Sequence, residues 1–484
     1  MTRTNKYHIA IALLAMLVTA AAMPAYAQTE TVLYEFGDDS ARPRGAVAQG
    51  LDGAVYLTAS SSGLPNNFVG GVFRITASGK GTDLHDFCQT NCADGSGPVG
   101  GLTLRPDGHF LGITGGGGST PAGKGTIFDV TGTGQLTTIY DFTGGADGGY
   151  PEAAPILGPD GSFYGVASVG GGSSNCGTIY KLTQTVFTVL YQFDKVHGCN
   201  PAAPMVLGTD GNFYGTTVNG GTEGGGVVFQ LKLCAGKSSM VTVLANFDQT
   251  NGYPWSPVIQ GSDGNFYGTT SGTANWGYQG SGTGMVFKIT ASGTLTALHT
   301  LNGTTDGSSP FGGLVQATDG NLYGTAAWFG TPYADGPLFC NACGTLFQVT
   351  PGGTYSVLYN FEGFTGFEPS TTLLQHTNGL LYGGTLLGGG GCDFTYGCGV
   401  VYSWNGNLPP FVTTVQSMGS VGGSVEILGQ GFNSSTTVAF NGTPAEVHLQ
   451  SATSLYTQVP AGATTGFVTV TTSTGTLSSN KKLS

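Results

Sequence analysis

The sequence predicts an all-β protein: a seven-bladed β-propeller closed by its own N-terminal strand, followed by an immunoglobulin-like β-sandwich. Three observations carry this prediction. First, an Asp-Gly or Asn-Gly dipeptide returns seven times, at Asp52, Asp107, Asp160, Asp210, Asp263, Asp319 and Asn378, with spacings of 55, 53, 50, 53, 56 and 59 residues. A period near fifty marks one supersecondary unit that is copied and stacked. Second, each copy divides into four strand-like phrases, but the seventh lacks its fourth, and a matching phrase stands near the start of the chain as Leu33-Tyr34-Glu35-Phe36. Third, the period stops after Trp404 and a different alternation takes over.

Residues 1–27 read as a signal peptide. Arg3 and Lys6 give a positive start, Ile9 to Ala22 a short apolar run, and Ala25-Tyr26-Ala27 a small-x-small cleavage pattern before Gln28. The run is short for a membrane anchor and no second one follows, so the mature chain is expected without a membrane span, in the extracellular space, periplasm or at the cell surface.

Residues 28–407 hold the repeats. The first phrase runs into the Asp-Gly turn, as in Pro204 to Asp210, and the second leaves it, as in Asn212 to Thr217. Asp-Gly tolerates positive φ at both central turn positions, which makes it a strong hairpin signal. A glycine-rich loop of variable length leads to the third phrase (Gly226 to Lys232), and a tight turn leads to the fourth (Leu244 to Phe247). In such a blade the short turns share one face, and the variable two-three loops and blade-to-blade connections share the other. Recognition is expected on the variable face.

The chain holds 86 glycines and 22 prolines, yet 39% hydrophobic and 11% aromatic residues with a strict period assign those glycines to turns rather than to disorder. Only 9% of residues are charged, and 27 acids outnumber 15 bases, so no basic stripe exists to hold nucleic acid.

Nine cysteines in an exported chain should mostly be paired. The expected pairs are Cys88 with Cys92, Cys176 with Cys199, Cys340 with Cys343 and Cys392 with Cys398, leaving Cys234 as a free thiol. A competing reading joins Cys340, Cys343, Cys392 and Cys398 in a four-thiolate zinc site, but five residues separate the second pair and export favours disulfides. No metal and no cofactor is expected.

Gly118 to Gly125 imitates a phosphate-binding loop but joins two strands and lacks the Ser or Thr after Lys124. The histidines are dispersed, and His85 and His299 fill an aromatic slot of the repeat. The aspartate of each Asp-Gly reads as a turn residue bonding its own backbone. Asp94, Asp147 and Asp306 form a second acidic set on the variable face, where calcium is conceivable. The aromatic residues Trp255, Trp276, Tyr278, Trp328 and Tyr333 are the candidate ligand-binding set, because flat rings beside amides suit sugars; the competing reading packs them into the loops.

From Phe411 onward, Ser424 to Phe432 with its Gly-x-Gly-Phe, the Phe440-Asn441-Gly442 turn and the stretch Val459 to Gly466 resemble the IPT/TIG immunoglobulin-like domain, over residues 408–484. Leu477 to Ser484 is short for that domain's final strand. The repeats, through Asp-Gly-Asn-Phe-Tyr-Gly-Thr-Thr at 210–217 and 263–270, resemble the GloVer-type repeats of bacterial "choice-of-anchor" surface proteins. That resemblance implies export and surface association but no catalytic residues. The expectation is a monomeric binding protein for a polysaccharide, surface glycan or protein. The other readings are a polysaccharide lyase or hydrolase, which would need carboxylates or a His/Tyr/Arg set converging on the central channel, and a purely structural envelope or matrix protein.

Overall fold

The computed structural model describes residues 28–37, 41–61, 69–184, 186–234, 239–250, 252–272, 283–330, 343–390 and 397–483. The expected signal peptide, Trp276, Tyr278, Tyr333, Cys340 and Cys392 lie outside the described residues. Every described element is a strand, and no helix among the described residues is long and apolar enough to cross a membrane.

Seven antiparallel sheets follow one another along the repeats. The fourth is representative: Val206–Leu207, Phe213–Thr217, Gly224–Lys232 and Met240–Asp248, paired in that order. Its hairpin forms as the dipeptide dictates. Gly211 takes φ +79°, Asp210 accepts from the Asn212 amide at 3.1 Å, and its second oxygen accepts from the Tyr214 hydroxyl at 2.7 Å. The same aspartate-to-tyrosine bond recurs at Asp160, Asp263 and Asp319, and Lys181 and Lys288 add an ion pair at Asp160 and Asp263. The repeated acids are therefore engaged in turn chemistry.

Each sheet packs on the next through its own buried apolar cluster. Tyr214, Val228 and Phe247 of the fourth sheet meet Phe266, Phe287 and Ile289 of the fifth, for example. The seventh cluster joins Tyr382 and Val401 of the last sheet to Val55, Leu57 and Phe73 of the first, so the cycle of sheets closes on itself. The outermost strand of the last sheet is Thr29–Glu35, antiparallel to Val400–Asn405, and the Phe36 amide bonds the Gly399 carbonyl at 3.2 Å. The displaced N-terminal phrase thus completes the seventh sheet. Burying these apolar faces contributes roughly 25 cal/mol per Å² of covered surface.

One contact repeats at every sheet-to-sheet step. The third strand opens on a glycine (Gly70, Gly125, Gly177, Gly226, Gly284, Gly344 or Gly399) with φ between +74° and +122°. A proline ring from the next connection lies against it. A Cβ at Gly125 would stand 2.8 Å from Pro151 Cδ and 2.3 Å from the Thr114 carbonyl oxygen. At the closing step, a Cβ on Gly399 would meet Pro43 at 2.9 Å and the Thr385 carbonyl oxygen at 2.4 Å.

Residues 413–483 form two further four-stranded sheets around Val425, Ile427, Phe440, Leu455, Val468 and Val470. The final strand, Gly475–Leu483, pairs with Gly466–Thr472 along its length, so the short C-terminal stretch suffices. This module rests on the short-turn face, over the junction of the first and seventh sheets. Thr453 Oγ1 donates to the Leu51 carbonyl at 2.7 Å, and Gln430 Nε2 donates to Thr377 Oγ1 at 2.8 Å. Thr377 is itself bonded to Gln49 across the junction through its amide at 3.0 Å and its hydroxyl at 2.8 Å.

Two substitutions separate the glycine contact from glycine's conformational role. Gly161 has φ +75° and open space around its Cβ position, so Gly161→Ala should cost only the left-handed penalty of about 1–2 kcal/mol. Gly399→Ala adds a clash with rigid backbone and the Pro43 ring. In thermal denaturation it should lower the midpoint several times further; equal losses would remove the contact from the account.

Candidate functional site

The contacting proline stands nine residues before each Asp-Gly or Asn-Gly turn, at Pro43, Pro98, Pro151, Pro201, Pro254, Pro310 and Pro369. Proline disfavours the right-handed helical region for the residue before it. Here that residue is driven into the left-handed region: Tyr150, Asn200, Tyr253, Ser309 and Glu368 have φ of 48°, 59°, 66°, 52° and 62°. Main-chain bonds hold it there. The Tyr150 amide bonds the Lys124 carbonyl of the preceding sheet at 2.7 Å, and its carbonyl accepts from Ser168 at 3.3 Å; Asn200 repeats the arrangement with Cys176 and Val218. Such strain costs roughly 1–2 kcal/mol per residue and persists only where surroundings over-determine it, characteristically at functional sites.

The backbone of each triplet is therefore set by main-chain bonds and the glycine contact, and its flanking side chains vary widely. Before the prolines stand Arg42, Gly97, Tyr150, Asn200, Tyr253, Ser309 and Glu368; after them stand Arg44, Val99, Glu152, Ala202, Trp255, Phe311 and Ser370. The segments that follow neighbouring triplets touch: Ala46 bridges Gly101 and the Ala154 amide bonds the Gly100 carbonyl at 3.1 Å, while the Thr269 hydroxyl of the fifth sheet bonds the Pro310 carbonyl at 2.9 Å. The variable positions thus gather around the inner edges of the sheets.

A cavity of about 500 Å³ opens among them, lined by Tyr150, Glu152, Ser168, Asn200, Asn219 and Trp255 together with Gly115, Val169 and Ala202. Its polar groups are pre-arranged. Asn200 Nδ2 donates to the Ser168 carbonyl at 3.0 Å, Asn219 Nδ2 donates to Asn200 Oδ1 at 3.2 Å, and the Ser168 hydroxyl donates to the Tyr150 carbonyl at 2.7 Å. Tyr150 is held from outside by Lys124, whose ammonium bonds its hydroxyl at 2.8 Å and lies 4.6 Å from its ring centre.

Charge collects at the same place. Burial raises the Glu152 carboxyl above its ordinary range, opposed by a hydrogen bond with Ser168 and by the Arg44 guanidinium. Burial also pushes Glu368 up to about 7, against the attraction of Arg44 and Arg42. The two arginines lose some of their affinity for the proton, first through desolvation, and Arg44 also through repulsion by Arg42. The sequence suggested no pair of glutamates; the fold brings Glu152 and Glu368 within electrostatic reach of the same arginine, Arg44.

Of the expected ligand-binding aromatics, Trp255 lines the cavity. Trp328 does not present a free face: it is 8% exposed and packs edge-on against Phe367 at 5.2 Å, tying the sixth sheet to the seventh. Trp276, Tyr278 and Tyr333 lie outside the described residues. Disulfides join Cys88 to Cys92 and Cys176 to Cys199; Cys343 and Cys398 are disulfide-bonded, which removes them from a zinc site, and Cys234 is free. The second acidic set is engaged locally. Asp94 bonds His85 and the Cys88 amide, Asp147 bonds Tyr140 and Thr143, and Asp306 bonds His299. Among the described residues no group of three His, Cys, Asp or Glu side chains is placed to hold a metal.

The raised carboxyls give a signed pH dependence. Glu30, on the closing strand, and Glu426, in the C-terminal module, are also pushed up to about 7 by burial. A raised folded-state pKa contributes stability that is complete below the ordinary value of 4.5 and is lost as pH climbs towards about 7. The melting temperature should therefore fall between about pH 5 and pH 7.5, and Glu368→Gln should flatten that fall. A midpoint that rises over this interval would contradict the assignment.

The profile of the Gloeobacter/Verrucomicrobia repeat matches residues 21–171 and 151–342, and that of the IPT/TIG domain matches residues 410–484. No curated protein matches the chain by sequence. Similar solved structures include a luciferin-regenerating enzyme (13% identity, TM-score 0.39, covering 79% of this chain and 97% of the other). Others are a PQQ-bound aldose sugar dehydrogenase from Streptomyces coelicolor (14%, 0.38, 78% and 98%) and a puromycin hydrolase (12%, 0.44, 82% and 61%). These likenesses are too shallow to say what this chain binds. The repeat match spans most of the molecule and the C-terminal match the remaining module, and the chain therefore belongs to the Gloeobacter/Verrucomicrobia repeat family, with a C-terminal IPT/TIG domain.

Proposed function

We propose that the chain is an exported, monomeric binding protein, secreted or held at the cell surface, whose seven sheets are the blades of a β-propeller and whose C-terminal module is an immunoglobulin-like β-sandwich. Its ligand is a carbohydrate, taken at the mouth where the seven proline triplets converge. The observation that carries this reading is the cavity. Trp255 and Tyr150 offer ring faces, the Asn200 and Asn219 amides and Ser168 offer fixed hydrogen-bonding groups, and Glu152 supplies a carboxyl, in a volume of about 500 Å³. Sugar rings present apolar C–H faces and hydroxyl edges, and this mixture answers both.

A second reading is favoured by Glu152 and Glu368. Glycoside hydrolysis uses two carboxyls, one kept protonated near neutrality, and burial raises both of these. Assays of released reducing ends or unsaturated products, run with Glu152→Gln and Glu368→Gln, would detect that activity.

Trp255→Ala should weaken binding on a glycan array and in polysaccharide pull-downs by about tenfold, the equivalent of some 1.4 kcal/mol. Trp328→Ala should lower thermal stability while leaving the affinity of the folded fraction unchanged. If Trp255→Ala leaves every glycan signal unchanged, carbohydrate binding at this mouth is excluded. No glycan signal from the native chain would favour the structural envelope or matrix role.

A further inference from the structure

We propose, resting on the carbohydrate reading above, that the Cys176–Cys199 disulfide belongs to the ligand site: it braces the Asn200 and Asn219 amides, and the affinity of the cavity depends on it. The bond joins Cys176, which leads into the third strand of the third sheet, to Cys199 in the connection to the fourth, 23 residues later. Asn200 follows Cys199 directly and lines the cavity, as does Asn219.

Main-chain bonds spread from the same two cysteines. The Asn200 amide donates to the Cys176 carbonyl at 2.9 Å. Cys199 pairs with Asn219 in both directions: its amide donates to the Asn219 carbonyl at 2.7 Å, and its carbonyl accepts from the Asn219 amide at 2.9 Å. The side chains then link back to the third sheet, because Asn219 Nδ2 donates to Asn200 Oδ1 and Asn200 Nδ2 donates to the Ser168 carbonyl. The covalent bond and the side-chain bonds therefore fix the same gap, between the third sheet and the connection, from two sides.

The repeats supply an internal comparison. At the second step the Gly97 amide bonds the Val69 carbonyl at 3.0 Å and Ser96 pairs with Gly116. At the third, the Tyr150 amide bonds the Lys124 carbonyl at 2.7 Å and Gly149 pairs with Val169. Val69 with Ser96, and Lys124 with Gly149, there occupy the places of the two cysteines. Main-chain bonds close the frame at those steps, so closing it does not account for a disulfide at the fourth. What distinguishes the fourth step is that it presents two asparagine amides to the cavity. Lys124, at the place of Cys176, likewise steadies a cavity residue, through its bond to the Tyr150 hydroxyl at 2.8 Å. An amide that must be ordered when a ligand arrives loses part of its hydrogen-bond gain to entropy, and one ordered in advance does not.

The variant Cys176→Ala/Cys199→Ala, made in the full chain, removes the brace without leaving a thiol. Hydrogen exchange at the Asn200 and Asn219 amides should quicken by about tenfold, with the Gly149 and Val169 amides unchanged. Calorimetric titration with oligomers of glucose, galactose, mannose and N-acetylglucosamine, well below the melting transition, should show an affinity about tenfold lower than that of the native chain. Cys88→Ala/Cys92→Ala removes a disulfide outside the cavity lining, and Gly161→Ala lowers stability at a distant turn; both should keep the native affinity. If the double variant fails to fold, Cys199→Ser alone, at the less buried cysteine, decides. Native affinity in the folded variant would overturn the brace and leave carbohydrate recognition standing. Binding of no oligomer by the native chain would overturn the carbohydrate reading, and exchange then decides the brace alone: unchanged rates at Asn200 and Asn219 would overturn it too.

Discussion

At each of seven steps a proline ring presses on a glycine that has no room for a side chain, and the architecture depends on that contact. The third strand of one sheet and the connection into the next approach so closely that a Cβ at Gly399 would collide with Pro43 and with the Thr385 carbonyl together. The close approach sets the spacing between sheets. At six of the seven steps, all but that of Pro43, the residue before the proline takes a left-handed conformation that main-chain bonds hold. Both effects use backbone and ring atoms alone. The side chains on either side of the proline take no part in that contact, and one frame carries arginine, glutamate, tryptophan, alanine and serine at equivalent positions.

Much of this was legible in the sequence. Seven copies, four phrases per copy, the displaced Leu33 to Phe36 strand, the unpaired Cys234 and the structural part played by each Asp-Gly all follow from local chemistry, because turns and strand alternation are local properties. The site was harder. Arg42, Arg44, Glu152 and Glu368 are separated by up to hundreds of residues and meet only because the cycle closes. A signal existed all the same, since the prolines share the spacings of the Asp-Gly turns. A search for repetition stops at what is repeated, whereas here the informative residues are the neighbours that differ. The aromatics show the converse difficulty. Trp255 and Trp328 both lie in variable segments, yet one lines a cavity and the other is sealed against Phe367; membership of a loop does not say towards which side of it a ring turns.

Closure is reinforced from two directions. On one side the N-terminal strand supplies the last position of the seventh sheet, so chain ends distant in sequence are hydrogen-bonded neighbours. On the other, the C-terminal module spans the same junction through Leu51 and Thr377, with Gln49 bridging beneath it. The chain itself passes from the seventh sheet to the first through the N-terminal strand, so the break in the cycle lies within the seventh sheet, between its third and outermost strands, and the additional contacts gather beside it.

The placement of this module has a directional consequence. Antiparallel strands put the Asp-Gly hairpins and the proline triplets at opposite ends of every sheet, and the C-terminal module occupies the hairpin end. The molecule is therefore polar: the C-terminal module caps the hairpin end, and the cavity lies towards the other.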